Sequence, residues 1–179
     1  MILVGIHVYP IKSCGSFNPQ SWPITQSGLL YDRQWVIVNA AGAVLTQKRE
    51  AKLCFIMPEI DLIGKRLILH HRNKSSSISL PLEAEFSGNS TCHTKICGKT
   101  VGVNDWGEDA GQWLSHVLDQ PGLRLLRNEN TAGTQKISSL ANDSPFLFIN
   151  RKSALSLEQQ TISSGSPSSS SVSGSLLIH

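Results

Sequence analysis

Trp35-Val36-Ile37-Val38, then Asn39-Ala40-Ala41-Gly42, then Ala43-Val44-Leu45-Thr46 is the stretch that decides the fold class. Four apolar, mostly β-branched residues in a row read as a strand. The Asn/Gly turn and the second apolar run complete what reads as a hairpin with a Gly-containing loop. Short runs of the same kind lie on either side. Ile2-Leu3-Val4-Gly5-Ile6-His7-Val8-Tyr9 reads as a strand bounded by Pro10, and Leu53-Cys54-Phe55-Ile56-Met57 as one stopped by Pro58. Arg66-Leu67-Ile68-Leu69-His70-His71 and Ser77-Ile78-Ser79-Leu80 flank a polar loop over residues 72–76, which predicts a second hairpin. Closely spaced short strands with turn residues between them predict a small β-barrel or sandwich over the first ninety or so residues.

Helical periodicity begins later. Ala110, Trp113, Leu114, Val117 and Leu118 fall on one face, and the spacing predicts a helix near residues 106–119. Asp105 with Glu108 reads as a variant capping box, and Pro121-Gly122 ends the segment. Residues 122–126 read as a strand, Phe146-Leu147-Phe148-Ile149 as a further buried strand, and Ser153 as the cap of a last helix. From Ser163 to Ser175 the chain is nearly all Ser with Gly and Pro, a composition that predicts disorder. A chain that stops just after a fresh strand and helix reads as interrupted, as a fragment, splice form or gene-model error would.

The 179 residues suffice for one ordinary domain or two small ones, and 40% apolar residues exclude a wholly disordered chain. A net charge of +3 without a dense Lys/Arg block does not call for nucleic acid. No apolar run approaches the roughly 18 residues of a membrane span. Four Cys form no disulfide framework, and no secretory leader is read at the N-terminus, so a reducing, cytoplasmic location is expected.

Few residues could carry chemistry. In Tyr9-Pro10-Ile11-Lys12-Ser13-Cys14-Gly15 a cation, a hydroxyl and a thiol sit where a strand meets a loop, between a fixed Pro and a permissive Gly. Lys12 and Ser13 could hold an anion such as a phosphate, or be no more than an exposed Lys and a turn Ser. Cys14 could be a ligand or nucleophile, or a small buried apolar residue. In Asp32-Arg33-Gln34-Trp35 the Arg33 fork could take a phosphate or carboxylate, or be locally paired. Cys92 and Cys97, with His93 between them, make one thiol pair without a second, and a structural zinc site needs four ligands. His70 and His71 are adjacent, so on a strand they face opposite sides and read as surface or rim residues. No Ser-His-Asp set, phosphate-binding Gly loop or His-Glu-x-x-His is present.

Several of these motifs together resemble a known family. Tyr9-Pro10-Ile11-Lys12-Ser13-Cys14, Gly28-Leu29-Leu30-Tyr31-Asp32-Arg33-Gln34-Trp35 and Leu45-Thr46-Gln47-Lys48-Arg49-Glu50 resemble the β-barrel that precedes the MOSC domain. Cys97-Gly98-Lys99, Asp105-Trp106-Gly107-Glu108, Trp113-Leu114 and Asp143-Ser144-Pro145-Phe146 continue the match over about residues 2 to 160. Ser21-Trp22-Pro23-Ile24 and Leu53-Cys54-Phe55-Ile56 resemble the C-terminal region of molybdenum cofactor sulfurases rather than the sister family of amidoxime-reducing components. The resemblance implies a mainly β fold with a few helices: a MOSC N-terminal-like barrel over about residues 1–90, the start of a MOSC domain over 91–162, and a Ser-rich tail over 163–179.

It also implies a function. Such sulfurases pair a pyridoxal-phosphate-dependent cysteine desulfurase half with a part that binds the molybdenum cofactor (molybdopterin). Sulfur from L-cysteine then passes to the cofactor for xanthine dehydrogenase and aldehyde oxidase. By correspondence with the sister family, Lys12, Ser13, Arg33 and Ser144 are the implied cofactor contacts. The desulfurase half, with its pyridoxal phosphate, and the later MOSC segment have no counterpart in this sequence, so no catalytic residue is assigned. An amidoxime-reductase-like oxidoreductase and a non-catalytic domain binding an anion or a protein are the alternative readings.

Overall fold

A computed structural model of the chain describes residues 2–83, 91–96, 99–128, 144 and 146–163. They divide into two units, Met1–Pro145 and Phe146–His179. In the first unit lie strands β1 (Ile24–Thr25), β2 (Gly28–Leu29), β3 (Trp35–Val38), β4 (Ile56–Asp61), β5 (Arg66–His71), β6 (Lys74–Pro81), β7 (Thr91–Ile96), β8 (Lys99–Asp105) and β9 (Arg124–Asn128). A 3-10 helix over Ala51–Phe55 and helix α1 (Glu108–Leu118) complete it. The strands make a β1-β2 ribbon, a four-stranded sheet in the order β3-β9-β8-β7 and a three-stranded sheet β4-β5-β6. The fold is therefore mainly β with few helices, as the sequence predicts. Among the described residues the sheets stay open rather than closing into one barrel.

β3 is buried at all four positions. Successive side chains of a strand face opposite sides, so two sets of residues must cover it. Trp35 and Ile37 join the main core, with Ile11, Leu53, Ile56, Leu67, Leu69, Leu114, Leu118 and Leu125. Val36 and Val38 join a smaller cluster with Val103 and Leu126. The expected hairpin partner at residues 43–46 makes only one bridge, Val38 to Val44, with Leu45 N–H donating to the Ile37 carbonyl at 2.9 Å. The full ladder of β3 runs instead to β9, Trp35 opposite Arg127 and Val38 opposite Arg124. A four-residue strand buried on both faces gains more from a long-range partner that brings its own buried Leu125 and Leu126 than from the polar-edged local run.

Other expectations shift for local reasons. The apolar run at 53–57 splits into the 3-10 helix and β4, and Pro58 lies inside β4 rather than ending it. Among the described residues β4 pairs only with β5, and an edge strand tolerates a residue with no N–H. The β5–β6 hairpin forms as predicted but with a shorter turn, β6 starting at Lys74, and with a bulge between His70 and His71. His70 is exposed and His71 buried on the opposite side, where its Nδ1 accepts from Asn73 N–H at 3.2 Å. The N-terminal run forms no strand: Val8 bridges Phe17, while Ile2, Leu3 and Val4 are at least 70% exposed.

Helix α1 falls within its predicted span and buries Ala110, Leu114, Val117 and Leu118. Its N-cap is Gly107, and Asp105, expected as the cap, accepts from the Gly107 N–H at 3.0 Å and pairs with Arg124 at 2.8 Å. Lys74 donates to the Val117 carbonyl at 2.8 Å, and Trp113 Nε1 donates to Ser76 Oγ at 2.9 Å, fastening α1 to β6.

In the second unit, helix α2 covers Arg151–Ser163. Asn150 Oδ1 accepts from Lys152 N–H at 2.9 Å, so Asn150 takes the capping role expected of Ser153. Residues 146–149, expected as a buried strand, are exposed and unpaired as a strand. Cys97 and the Ser-rich stretch after Ser163 lie outside the described residues. The boundary expected near residue 90 falls in undescribed residues 84–90, and the main core draws on residues before and after it.

Gly111 tests the α1 contact. A Cβ there would sit 2.6 Å from the Leu123 carbonyl oxygen, and backbone cannot swing aside as a side chain can. Gly111→Ala should therefore destabilise the chain by roughly 1–3 kcal/mol in urea unfolding despite the higher helix propensity of Ala. A gain in stability would show that α1 can slide away from β9.

Candidate functional site

The segments carrying Lys12, Ser13 and Arg33 lie side by side. Val8 and Phe17 exchange both backbone hydrogen bonds at 3.0 Å, closing residues 9–16 into a loop. One flank of that loop runs along residues 32–35. Arg33 N–H donates to the Tyr9 carbonyl at 2.7 Å, Gln34 and Trp35 N–H to the Pro10 carbonyl at 3.0 and 3.1 Å, and Lys12 N–H to the Trp35 carbonyl at 2.8 Å. Pro10 lacks a donor but keeps its acceptor, and here that acceptor serves two amides. Gly15 N–H donates to the Ile56 carbonyl at 2.8 Å, and a Cβ at Gly15 would lie 2.5 Å from Met57 Sδ. The loop thus packs closely against β4 on its other flank.

Two of the named residues hold uncommon backbone. Ser13 has φ +68° and Arg33 φ +49°, with Tyr31 at +62°. Non-glycine residues keep this conformation only where the surroundings hold them in it. Ser13 is buried, a hydroxyl rather than a plain turn residue at the surface. Cys14 is 1% exposed and lies in the main core. Burial, reinforced by the nearby Cys54, pushes its thiol pKa up, which makes Cys14 a packing residue and a poor nucleophile.

Asp32 anchors the pair of segments. Its Oδ1 accepts from Tyr9 N–H at 2.8 Å, and its Oδ2 pairs with Arg33 Nη1. Arg33 also lies over the Tyr9 ring, 5.3 Å from its centroid. Burial pushes the Asp32 pKa up, while the Arg33 charge and the Tyr9 amide pull it back. Burial also raises the Tyr9 phenol pKa, against the Ser16 hydrogen bond and the Arg33 charge.

Arg127 gave no signal in the sequence. Its guanidinium lies 4.9 Å from the Trp35 ring centroid, 5.0 Å from that of Trp106 and 5.7 Å from that of Tyr31. Its Nη1 donates to the Leu82 carbonyl and its Nη2 to Gln34 Oε1 at 3.2 Å. Three buried donors, Trp35 Nε1, Gln47 Nε2 and Arg127 Nε, lack a protein acceptor among the described residues. Ser144, the fourth expected contact, is exposed between undescribed residues 143 and 145, and no described contact joins it to the other three. Cys92 and His93 lie in β7. Among the described residues no group of three His, Cys, Asp or Glu could hold a metal. The chemistry on offer is cationic and hydrogen-bond-donating.

A family model, the MOSC N-terminal beta barrel domain, matches residues 1–121. The chain belongs to that family. This MOSC N-terminal chain is also 40% identical over 164 residues to a molybdenum cofactor sulfurase of Drosophila mojavensis, a match covering 87% of this chain and 21% of that one. To the molybdenum cofactor sulfurase of Bos taurus it is 36% identical over 173 residues, covering 89% of this chain and 19% of the other. The chain thus spans about a fifth of the length of the curated relatives it matches. A solution structure of a Bordetella bronchiseptica protein shares the fold, with a TM-score of 0.53 and 22% identity over 75% of this chain and 97% of that one. No helix among the described residues is long and apolar enough to cross a membrane.

The raised pKa of Asp32 gives a pH test with a definite sign. The folded chain holds the Asp32 proton more tightly than the unfolded chain does. The stability that this contributes is full at low pH and is lost as pH rises from the ordinary 3.8 through the raised folded value. The stability of the wild type relative to Asp32→Asn, from urea unfolding between about pH 3.5 and pH 7, should therefore fall as pH rises. A difference that grows with pH would mean that pairing with Arg33 outweighs burial.

Proposed function

We propose that this chain is the part of a molybdenum cofactor sulfurase that holds the phosphate-bearing pterin of the molybdenum cofactor. The observation that carries the reading is the backbone union of the two cation-bearing segments, Lys12 N–H to the Trp35 carbonyl and Arg33 N–H to the Tyr9 carbonyl. It sets an ammonium, a guanidinium and the Ser13 hydroxyl on one loop pair. Charged donors of this kind make the stronger hydrogen bonds to phosphate oxygens. The donor set fits such a group, and the buried Trp35 Nε1 and Arg127 Nε, which find no acceptor among the described residues, add donors beside the Gln34–Trp35 flank.

In this reading Lys12 and Arg33 bind the phosphate, Ser13 and Ser144 donate hydroxyls to the polar edges, and Asp32 orients Arg33. The bound cofactor would supply the metal centre on which an oxo ligand is exchanged for sulfur. The residues of this chain bind and orient it, and none is assigned to the exchange. In the same reading, sulfur drawn from L-cysteine by a pyridoxal phosphate half, and delivery to xanthine dehydrogenase and aldehyde oxidase in the cytoplasm, are assigned to the whole sulfurase and not to the residues described here. The matches to proteins named molybdenum cofactor sulfurase favour this reading over an amidoxime-reducing one.

The test is a titration of the chain with molybdopterin, followed by tryptophan fluorescence. Losing one charged hydrogen bond of roughly 1.5–3 kcal/mol should weaken binding by about ten- to a hundredfold in Lys12→Ala and in Arg33→Ala. Arg66→Ala, on the exposed side of β5, serves as the control and should bind as wild type does. If both site variants bind like the control, the reading is wrong.

A further inference from the structure

Arg33 can act on a ligand only if something holds its left-handed backbone, and Asp32 beside it lies in the same turn. The group that reaches both sides of that turn is Arg127. Its guanidinium faces the rings of Tyr31 and Trp35, donates through Nη2 to the Gln34 side chain, and is tied by Nη1 to the Leu82 carbonyl. Arg127 stands opposite Trp35 in the β3–β9 ladder, so its own position is fixed by backbone pairing. We propose that Arg127 is a positioning residue: it fixes the Tyr31–Trp35 turn, and through that turn the direction of Arg33, without touching the ligand.

Two observations support a role beyond packing. Arg127 has no ion pair among the described residues. A half-buried cation with no ion pair, drawn by the Glu83 carboxylate only through the field between them, is poor material for stability, and an apolar side chain of similar length would serve packing at least as well. Its bonds also go to particular places rather than to the nearest acid: one carbonyl, one side-chain amide and three aromatic faces. Burial lowers its pKa, in keeping with the cost of keeping the charge there. The proposal rests on Arg33 being a ligand contact, and the experiment separates the two ideas.

The variants are Arg127→Met, Gln34→Leu and, as control on the same strand, Arg124→Met, whose partners are Asp105 and Glu108. The first readout needs no ligand. Backbone amide resonances of residues 31–35, and the φ-sensitive amide-to-α-proton coupling of Arg33, should move in Arg127→Met and stay in place in Arg124→Met. The second readout is the molybdopterin titration. Arg127→Met should weaken binding about tenfold. In an Arg33→Ala background the same substitution should change it by less than about twofold, because a residue that acts through Arg33 has nothing left to position. A folded Arg127→Met whose turn resonances are unchanged overturns the proposal. So does a loss that adds in full to that of Arg33→Ala. If Arg127→Met does not fold, Gln34→Leu carries both readouts, with smaller shifts of the same kind expected and the same two outcomes overturning the proposal. If the wild type does not bind molybdopterin, the functional reading fails, and the turn resonances still decide whether Arg127 sets the turn.

Discussion

A four-residue strand buried on both faces has to be covered twice, and covering Trp35–Val38 organises the first unit of this chain. Trp35 and Ile37 look into the main core, where Trp106 meets Trp35 edge to face with centroids 5.7 Å apart. Val36 and Val38 look the other way, to Val103 and Leu126. On one edge β9 supplies the ladder, and on the other the Ile11 bridge brings in the loop of residues 9–16. The candidate segments hang on the same strand: Lys12 N–H is bonded to the Trp35 carbonyl, and Arg33 lies two residues before Trp35. Stability and candidate site therefore share one strand, so a change at Trp35 would cost both.

This dependence explains which parts of the fold were legible in the sequence. The helical face of α1 and the β5–β6 hairpin depend on residues no more than fifteen apart, and their periodicity stands in the chain for anyone to read. The partner of β3 does not. The strand at 35–38 is plain, but the choice between Ala43-Val44-Leu45-Thr46 and the strand nearly ninety residues later is made by what each brings to the core. The end of the run at 53–57 is illegible locally because Pro58 reads as a stop, and a stop for a central strand is no obstacle on an edge. The N-terminal run and Phe146-Leu147-Phe148-Ile149 show the limit of composition: both are apolar enough for strands, yet Leu3 and Phe148 are exposed at 70% and 76%.

The site divides along the same line. Lys12, Ser13 and Arg33 stood out because a cation or hydroxyl beside Pro, Gly or a buried Trp is a local signal. Their adjacency is a tertiary fact, produced by the Tyr9 and Pro10 carbonyls accepting amides from residues 33–35. Arg127 carries no local signal at all: Arg-Leu-Leu-Arg-Asn is an ordinary strand with charged residues at its first and fourth positions. Only the register opposite Trp35 gives it an aromatic surround.

Asp32 shows why the site has the charge it has. A loop pair meant only to attract an anion would do better without a carboxylate, and this one is nearly buried against the guanidinium it partly neutralises. Yet the Asp32 carboxylate accepts the Tyr9 amide and so joins the two segments. Removing it would raise the net positive charge and at the same time loosen the geometry that charge depends on. With the Arg33 charge partly cancelled, attraction of an anion from a distance would be weak, and binding in the proposed reading would have to come from short, directed bonds made after the ligand has arrived. A planar guanidinium held by a carboxylate on one side and a tyrosine face on another can offer its remaining edge in few directions. The same carboxylate that lowers the net charge would thus narrow what the proposed site accepts, favouring a ligand of matching shape over any passing anion.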